Sequence, residues 1–88
     1  YKKNLDGTIE QWGINIYSGS SSSGGTIVSF PITFPNKCVS IVAVDGGGYG
    51  CNSIGILSID KSKFKCWGRN VSSGAFSDST VSWRAIGY

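Results

Sequence analysis

The sequence contains no histidine and no methionine, and only 15% of its residues are charged. The lack of histidine removes the commonest general base and the Ser–His and Cys–His nucleophile pairs. It also removes a usual zinc ligand, and no CxxC motif is present to replace it. We therefore expect a protein that is not an enzyme and that binds no metal or other cofactor.

The acidic side chains are few and offer little for catalysis. Asp6, Asp60 and Asp78 lie in turn-like contexts, where their residue type is explained by backbone hydrogen bonding. Asp45, at a strand end before a glycine run, is the remaining catalytic candidate, whereas a glycosidase needs two facing carboxyl groups. The glycines at 46–48 lack a following Lys-Ser/Thr pair, so they do not indicate a phosphate-binding loop.

Three cysteines are present, and this odd number argues against a disulfide framework. The residues alone leave two interpretations open. In the first, the protein is made in a reducing cytoplasm and Cys38, Cys51 and Cys66 are free thiols. In the second, the protein is secreted and Cys51 and Cys66 form a disulfide bridge.

The length of 88 residues predicts a single domain over residues 1–88. Because 40% of the residues are hydrophobic, the apolar surface exceeds what so small a core can hide, which favours an oligomer. A chain without an initiating methionine is expected to be processed or to be part of a longer protein. No signal peptide and no apolar run of about 18–20 residues is present, so we expect no membrane insertion.

Period-two alternation between Gly/Ser-rich turns predicts an all-β protein, a small antiparallel β-sandwich of about seven or eight short strands. The Ser/Gly-rich stretches 18–25 and 45–50 are expected to be surface loops. The predicted strands are 8–17 with a bulge or bend at Gly13, 26–34, 38–45, 53–59, 63–67, a short one near 75–76, and 80–88.

The alternation also predicts strand positions. Pro31 cannot donate a ladder hydrogen bond, so strand 26–34 should lie at a sheet edge or be bulged. Strand 38–45 is apolar on both faces, which predicts a central strand covered on both sides, the second cover being another subunit. Tyr88 directly follows the last strand, so we expect it to be packed into the body or into a subunit interface.

Several aromatic and polar residues adjoin the predicted loops and could bind a sugar. Aromatic rings supply contact area, and small polar groups supply adaptable hydrogen bonds. Packing in the core or between subunits is the alternative for each ring. The basic stretch Lys61, Lys63, Lys65 and Arg69 is expected to be a solvated strand edge, with no nucleic acid partner. The receptor-binding candidates are Tyr17, Asp45, Tyr49, Asn52, Trp67, Arg69 and Asn70.

Three stretches together resemble the gp53-like C-terminal family of bacteriophage tail fibres. They are DGTIEQWG at 6–13, FPITFPN through Val42 at 30–42, and SWRAIGY at 82–88. The resemblance implies a short β-sandwich that forms homotrimers at the distal end of the fibre and contacts a host receptor. The matching motifs are mostly structural. The residues expected in the core or in trimer contacts are Trp12, Phe30, Phe34, Val42, Trp83, Ile86 and Tyr88.

The resemblance implies a virion protein made in the host cytoplasm. Its expected partner is a host-surface glycan such as lipopolysaccharide, or an outer-membrane protein, and specificity is expected between residues 45 and 70 because loops tolerate change. Two alternatives remain open at this stage. The domain could be a purely structural trimerisation cap, or a secreted lectin-like carbohydrate-binding module with the Cys51–Cys66 bridge.

Overall fold

The computed structural model describes residues 1–17, 25–46, 52–58 and 60–88. These residues form seven strands in two antiparallel sheets, which confirms the predicted all-β sandwich. The strands are β1 (Lys2–Lys3), β2 (Ile9–Tyr17), β3 (Thr26–Ser29), β4 (Cys38–Asp45), β5 (Asn52–Ser58), β6 (Lys63–Asn70) and β7 (Ser79–Gly87). The predicted loops 18–25 and 45–50 fall largely outside the described residues.

The strand order is β1-β2-β7-β4 in the four-stranded sheet and β3-β6-β5 in the three-stranded sheet. Each sheet therefore has a buried face towards the other sheet and an outer face. In β7, Val81, Trp83 and Ala85 are buried while the intervening residues are not, as the alternation predicts. The two outer faces are the surfaces that remain available to a partner.

The turn before β2 and the strand itself follow the sequence closely, with one correction. Gly7 has a φ of 91°, and the Asp6 carboxylate accepts hydrogen bonds from the backbone N–H and the hydroxyl of Thr8. Gly13 was expected to permit a bulge or a bend; the pairing of β2 with β7 is continuous through it, so the strand has no bulge there. A Cβ at Gly13 would lie 2.8 Å from the Trp83 ring, so the glycine makes room for that indole.

Strand β3 ends at Ser29, so the expectation of a strand through residue 34 is wrong beyond that point. Pro31 lies in the irregular segment that follows, and β3 is an edge strand, as expected. Phe30 and Phe34 nevertheless point into the core, with ring centroids 5.0 Å apart. Phe64 and Trp83 complete the aromatic cluster, in which further ring pairs are 5.4–5.7 Å apart.

Strand β4 has the predicted bounds, but it is an edge strand of the four-stranded sheet, not a central one. Ile41 and Ala43 pack against the core, whereas Val42 and Val44 are exposed on the outer face. Its apolar outer face therefore has no cover within the described part of the chain. Cover by another subunit stays a prediction.

Strands β5 and β6 form the predicted hairpin around residues 60–62. The Asp60 carboxylate accepts hydrogen bonds from the hydroxyl and the backbone N–H of Ser62 and from the backbone N–H of Lys63, and these bonds lower the pKa of Asp60. Strand β6 extends to Asn70, beyond the predicted end at 67. The short strand expected near 75–76 is reduced to a single bridge between Arg69 and Phe76.

Candidate functional site

The outer face of the three-stranded sheet contains an open groove of about 470 Å³. We call it the aromatic groove, and it is lined by Ser53, Ile54, Gly55, Trp67, Arg69 and Phe76. Its position follows from strand register. Gly55 pairs with Trp67 and Ser53 pairs with Arg69, so these four residues lie side by side on one face.

Arg69 is held in place at one end of the aromatic groove. Its guanidinium carbon lies 4.1 Å from the centroid of the Phe76 ring, and its Nη1 donates a hydrogen bond of 3.1 Å to the Gly74 carbonyl. A guanidinium has several N–H donors, of which this bond uses one. The side chain is exposed yet oriented, an arrangement that lowers the entropic cost of binding an anion.

Trp67 occupies the middle of the groove between two glycines. A Cβ at Gly25 would lie 2.9 Å from Cε2 of Trp67, so the absence of a side chain there lets the indole pack against the backbone. A Cβ at Gly55 would lie 3.8 Å from Cε3 of Trp67, an ordinary contact distance. Gly55 is the cross-strand neighbour of Trp67, and because it has no side chain, the groove beside the indole stays open.

Four of the other receptor-binding candidates, Tyr17, Asp45, Asn52 and Asn70, form hydrogen bonds within the chain. Tyr17 is only 1% exposed, so the expectation that its ring contacts a receptor is wrong. Its hydroxyl accepts a hydrogen bond of 2.8 Å from Asn52 Nδ2, and burial raises the pKa of Tyr17. Asp45 Oδ2 accepts a 3.2 Å bond from the Asn52 backbone N–H. These contacts join the ends of β2, β4 and β5.

Asn70 closes the turn after β6. Its Oδ1 accepts hydrogen bonds from the backbone N–H groups of Ser72 and Ser73. Tyr49 lies outside the described residues. Of the candidates from the sequence, the structure thus brings Trp67 and Arg69 together in one groove. Sequence reasoning missed Ser53, Gly55 and Phe76, because their proximity depends on the β5–β6 register and on the bridge to Arg69.

The outer face of the four-stranded sheet has a different chemistry. Trp12, Ile14 and Ile16 of β2 are 49%, 72% and 78% exposed. Arg84 of β7 lies between Trp12 and Val42 in the sheet, and this region forms an open groove of about 610 Å³. We call this surface the apolar face, and its exposed hydrophobic residues are Trp12, Ile14, Ile16, Val42, Val44 and Ile86.

The residues expected in the core or in trimer contacts divide into two groups. Phe30, Phe34 and Trp83 are buried. Trp12, Val42, Ile86 and Tyr88 are exposed. Trp12 was expected to pack in the core or between subunits. It is not in the core of the single chain, and packing between subunits stays a prediction.

Tyr88 is fixed through its backbone but not through its side chain. Its carbonyl accepts hydrogen bonds from the N–H groups of Asn36 and Lys37, and its own N–H donates to the Lys37 carbonyl. The residue is 47% exposed, so it is not buried in the body of the chain. Packing into a subunit interface stays a prediction.

Cys38 and Cys66 are free thiols in the described part of the chain, whereas Cys51, the other half of the bridge expected of a secreted module, lies outside the described residues. Burial raises the pKa of both thiols. In the described part of the chain, no group of three or more histidine, cysteine or acidic side chains could hold a metal ion. The same residues include no helix that is long and apolar enough to span a membrane.

The described residues thus form a two-sheet sandwich with exposed hydrophobic side chains on the outer face of the four-stranded sheet. The family model described as "Putative tail fiber protein gp53-like, C-terminal" matches residues 3–88. This match covers nearly the whole chain, and the chain belongs to that family. The protein is therefore a tail-fibre component of a phage particle, as the three sequence motifs indicate.

Solved structures share the fold. One is the C-terminal part of the P. aeruginosa R2 pyocin fibre, with a TM-score of 0.72, 22% identity and a match to 94% of this chain. Another is an N-truncated R2-type pyocin tail fibre, with a TM-score of 0.74, 24% identity and a match to 97% of this chain. The chain spans 21% and 32% of the lengths of those two chains. No curated protein matches it at a significant level.

Proposed function

We propose that this domain is the receptor-binding tip of a homotrimeric tail fibre, and that it attaches the virion to the host surface by binding and not by catalysis. Three copies pack together on the apolar face, which leaves the three-stranded sheets pointing outwards. Three equivalent weak sites on each fibre then give firm attachment through their high effective concentration.

The observation that carries the proposal is the apolar face itself. Trp12 and Ile14 of β2 and Val42 and Val44 of β4 line one groove, on either side of Ser82 and Arg84 of β7. Single exposed hydrophobic residues are normal on a protein, but a contiguous patch marks an interaction site. Arg84 at its centre suits an interface between copies, because arginine is enriched in interfaces and lysine is depleted.

Light scattering after size exclusion tests the assembly. At micromolar concentration we expect a mass three times the 9.3 kDa of one chain. Ile14→Asp places a charge on the apolar face and should give monomers. Ile27→Asp is the matched control, since Ile27 is also exposed but lies on the other sheet, and it should leave the trimer intact. A monomeric wild-type protein would refute the assembly.

Cell binding tests the attachment. The fluorescently labelled wild-type domain should bind cells of at least one strain in a panel of bacteria, and Ile14→Asp should bind them far less because three-site binding is lost. A trimer that binds no strain that the parent virion adsorbs to would overturn receptor binding. That result would favour the purely structural trimerisation cap.

A further inference from the structure

We propose that the aromatic groove is a saccharide subsite, and that it takes a sugar ring bearing an anionic group, a carboxylate or a phosphate. The sugar stacks beside Trp67 and its anionic group bonds to Arg69. This inference rests on the proposed function, since it assigns the class of ligand and the place where it binds.

The shape of the groove fits a single sugar ring. A ligand site is typically a concave, largely apolar pocket with a few oriented polar groups. Trp67 and Phe76 supply the apolar walls, and the hydroxyl of Ser53 and the guanidinium of Arg69 supply the polar groups. A tryptophan gives a large and rigid contact surface at low entropic cost. Gly55 keeps the space beside the indole free.

The charge of the sheet fits an anion. Strands β3, β5 and β6 contain no acidic residue. The cations of strand β6 are Lys63, Lys65 and Arg69. They pair with Ser29, Ile27 and Ser53, so no carboxylate lies opposite them in the sheet. Outward-facing Lys63, Lys65 and Arg69 alternate along the strand with buried Phe64, Cys66 and Gly68. The local potential therefore attracts a negatively charged ligand.

Arg69 gives the site its preference for a ligand with an anionic group. Its contacts with Phe76 and Gly74 fix the planar guanidinium before any ligand binds. Such a group matches the geometry of a carboxylate or phosphate and can form paired hydrogen bonds to it. The apolar face has an arginine too, but there the exposed hydrophobic residues surround it, which suits a subunit and not a sugar.

Nuclear magnetic resonance of the tryptophan indole N–H groups tests the inference with probes of defined charge. The protein has three tryptophans, so the spectrum has three indole signals, and Trp67→Phe assigns the one of interest. Digalacturonic acid, glucose 1-phosphate and neutral methyl galactoside are titrated to about 10 mM, which detects millimolar affinity. The Trp67 signal should shift with an acidic probe and much less with the neutral sugar. A stronger response to digalacturonic acid or to glucose 1-phosphate identifies the anionic group.

Three variants separate the parts of the site. Arg69→Gln should weaken binding of the acidic probe about tenfold and leave the weak response to the neutral sugar unchanged. Gly55→Leu fills the groove and should abolish both responses. Lys3→Gln, which removes a cation from β1 in the other sheet, is the control and should bind as the wild type does. Each variant is first checked for a native-like spectrum, and Arg69→Gln, which changes an exposed side chain, suffices if Gly55→Leu does not fold.

The inference fails if no probe shifts the Trp67 signal, if the neutral sugar binds as well as the acidic ones, or if Arg69→Gln binds as tightly as the wild type. The experiments distinguish a failure of this inference from a failure of the proposed function. Cell binding that persists in Arg69→Gln and Gly55→Leu would overturn this subsite but leave the receptor-binding trimer standing. A shift of the Trp67 signal in a domain that binds no cells would support the subsite and overturn the attachment function.

Discussion

The side chain of Gln11 hydrogen-bonds to both backbone polar groups of Ile32. Its Nε2 donates to the Ile32 carbonyl and its Oε1 accepts from the Ile32 N–H, each at 2.9 Å. Gln11 is fully buried, and its amide satisfies both backbone polar groups of Ile32, which lies outside the strands. Together with hydrogen bonds from the N–H groups of Phe30 and Phe34 to the carbonyls of Ser62 and Lys61, these two bonds hold the segment that carries both rings into the core.

Gln11→Leu should therefore destabilise the fold by about 2 kcal/mol or more, because both polar groups of Ile32 lose their partner. Urea denaturation at a fixed protein concentration measures the change, since the stability of an oligomer depends on concentration. Thr33→Val, at an exposed neighbouring position, is the control and should change stability by less than about 0.5 kcal/mol. A Gln11→Leu protein as stable as the wild type would contradict this role.

Gly13→Ala should cost about 1–3 kcal/mol, because its Cβ would meet the Trp83 ring at 2.8 Å. If crowding is the cause, the cost should shrink when Trp83→Phe removes the atoms that clash. Denaturation of both single variants and the double variant gives the coupling energy. Gly55→Ala is the matched control, since its Cβ would make an ordinary 3.8 Å contact with Trp67. Simple additivity of the two changes would rule out this explanation.

The sequence predicts much of the fold because alternation and turn residues are local signals. The bounds of β4, the inward face of β7 and the Asp60 turn all follow from them. Strand β2 is different, since its outer positions carry Trp12, Ile14 and Ile16 while its inner face carries Gln11 and Tyr17. Hydrophobicity alone does not tell which face of such a strand meets the core.

The candidate site is less predictable, for a reason of register. Trp67 and Arg69 are recognisable as binding residues because of their type and their spacing of two along one strand. Gly55 becomes a neighbour of this pair only once β5 and β6 are aligned, and Phe76 only through its bridge to Arg69. A one-residue shift of β5 against β6 would remove Gly55 from the groove. Tyr17 shows the converse error, because a loop-adjacent aromatic residue proves to be buried.

Burial raises the pKa of Tyr17 from its ordinary value of 10.0. The folded protein therefore favours the protonated phenol, so the contribution to stability is present below about pH 10 and is lost as the pH rises through the folded pKa. In an absorbance titration of tyrosinate, one of the four tyrosines should titrate late. Tyr17→Phe should remove this late step. A late step that persists in the variant would assign it to another tyrosine.

Tyr17→Phe also removes the acceptor for Asn52 Nδ2, which should cost about 1 kcal/mol at neutral pH. Asn52→Ala should cost a similar amount, and the double variant should cost less than the sum because both changes break the same bond. Urea denaturation measures all three proteins. Equal stability of Tyr17→Phe and the wild type would show that this hydrogen bond contributes nothing at the end of the sandwich.

Cys66 is fully buried and its thiol pKa is raised by that burial, whereas Cys38 is only partly buried. Thiolates are the species that react with alkylating reagents, so Cys66 should be labelled slowly in the folded protein and Cys38 faster. Mass spectrometry of iodoacetamide-treated protein, before and after denaturation in urea, measures this difference. Cys38→Ala is the control that identifies the faster site. A Cys66 that stays unlabelled even in urea without reductant would be disulfide-bonded, which would contradict the free thiol and revive the secreted module.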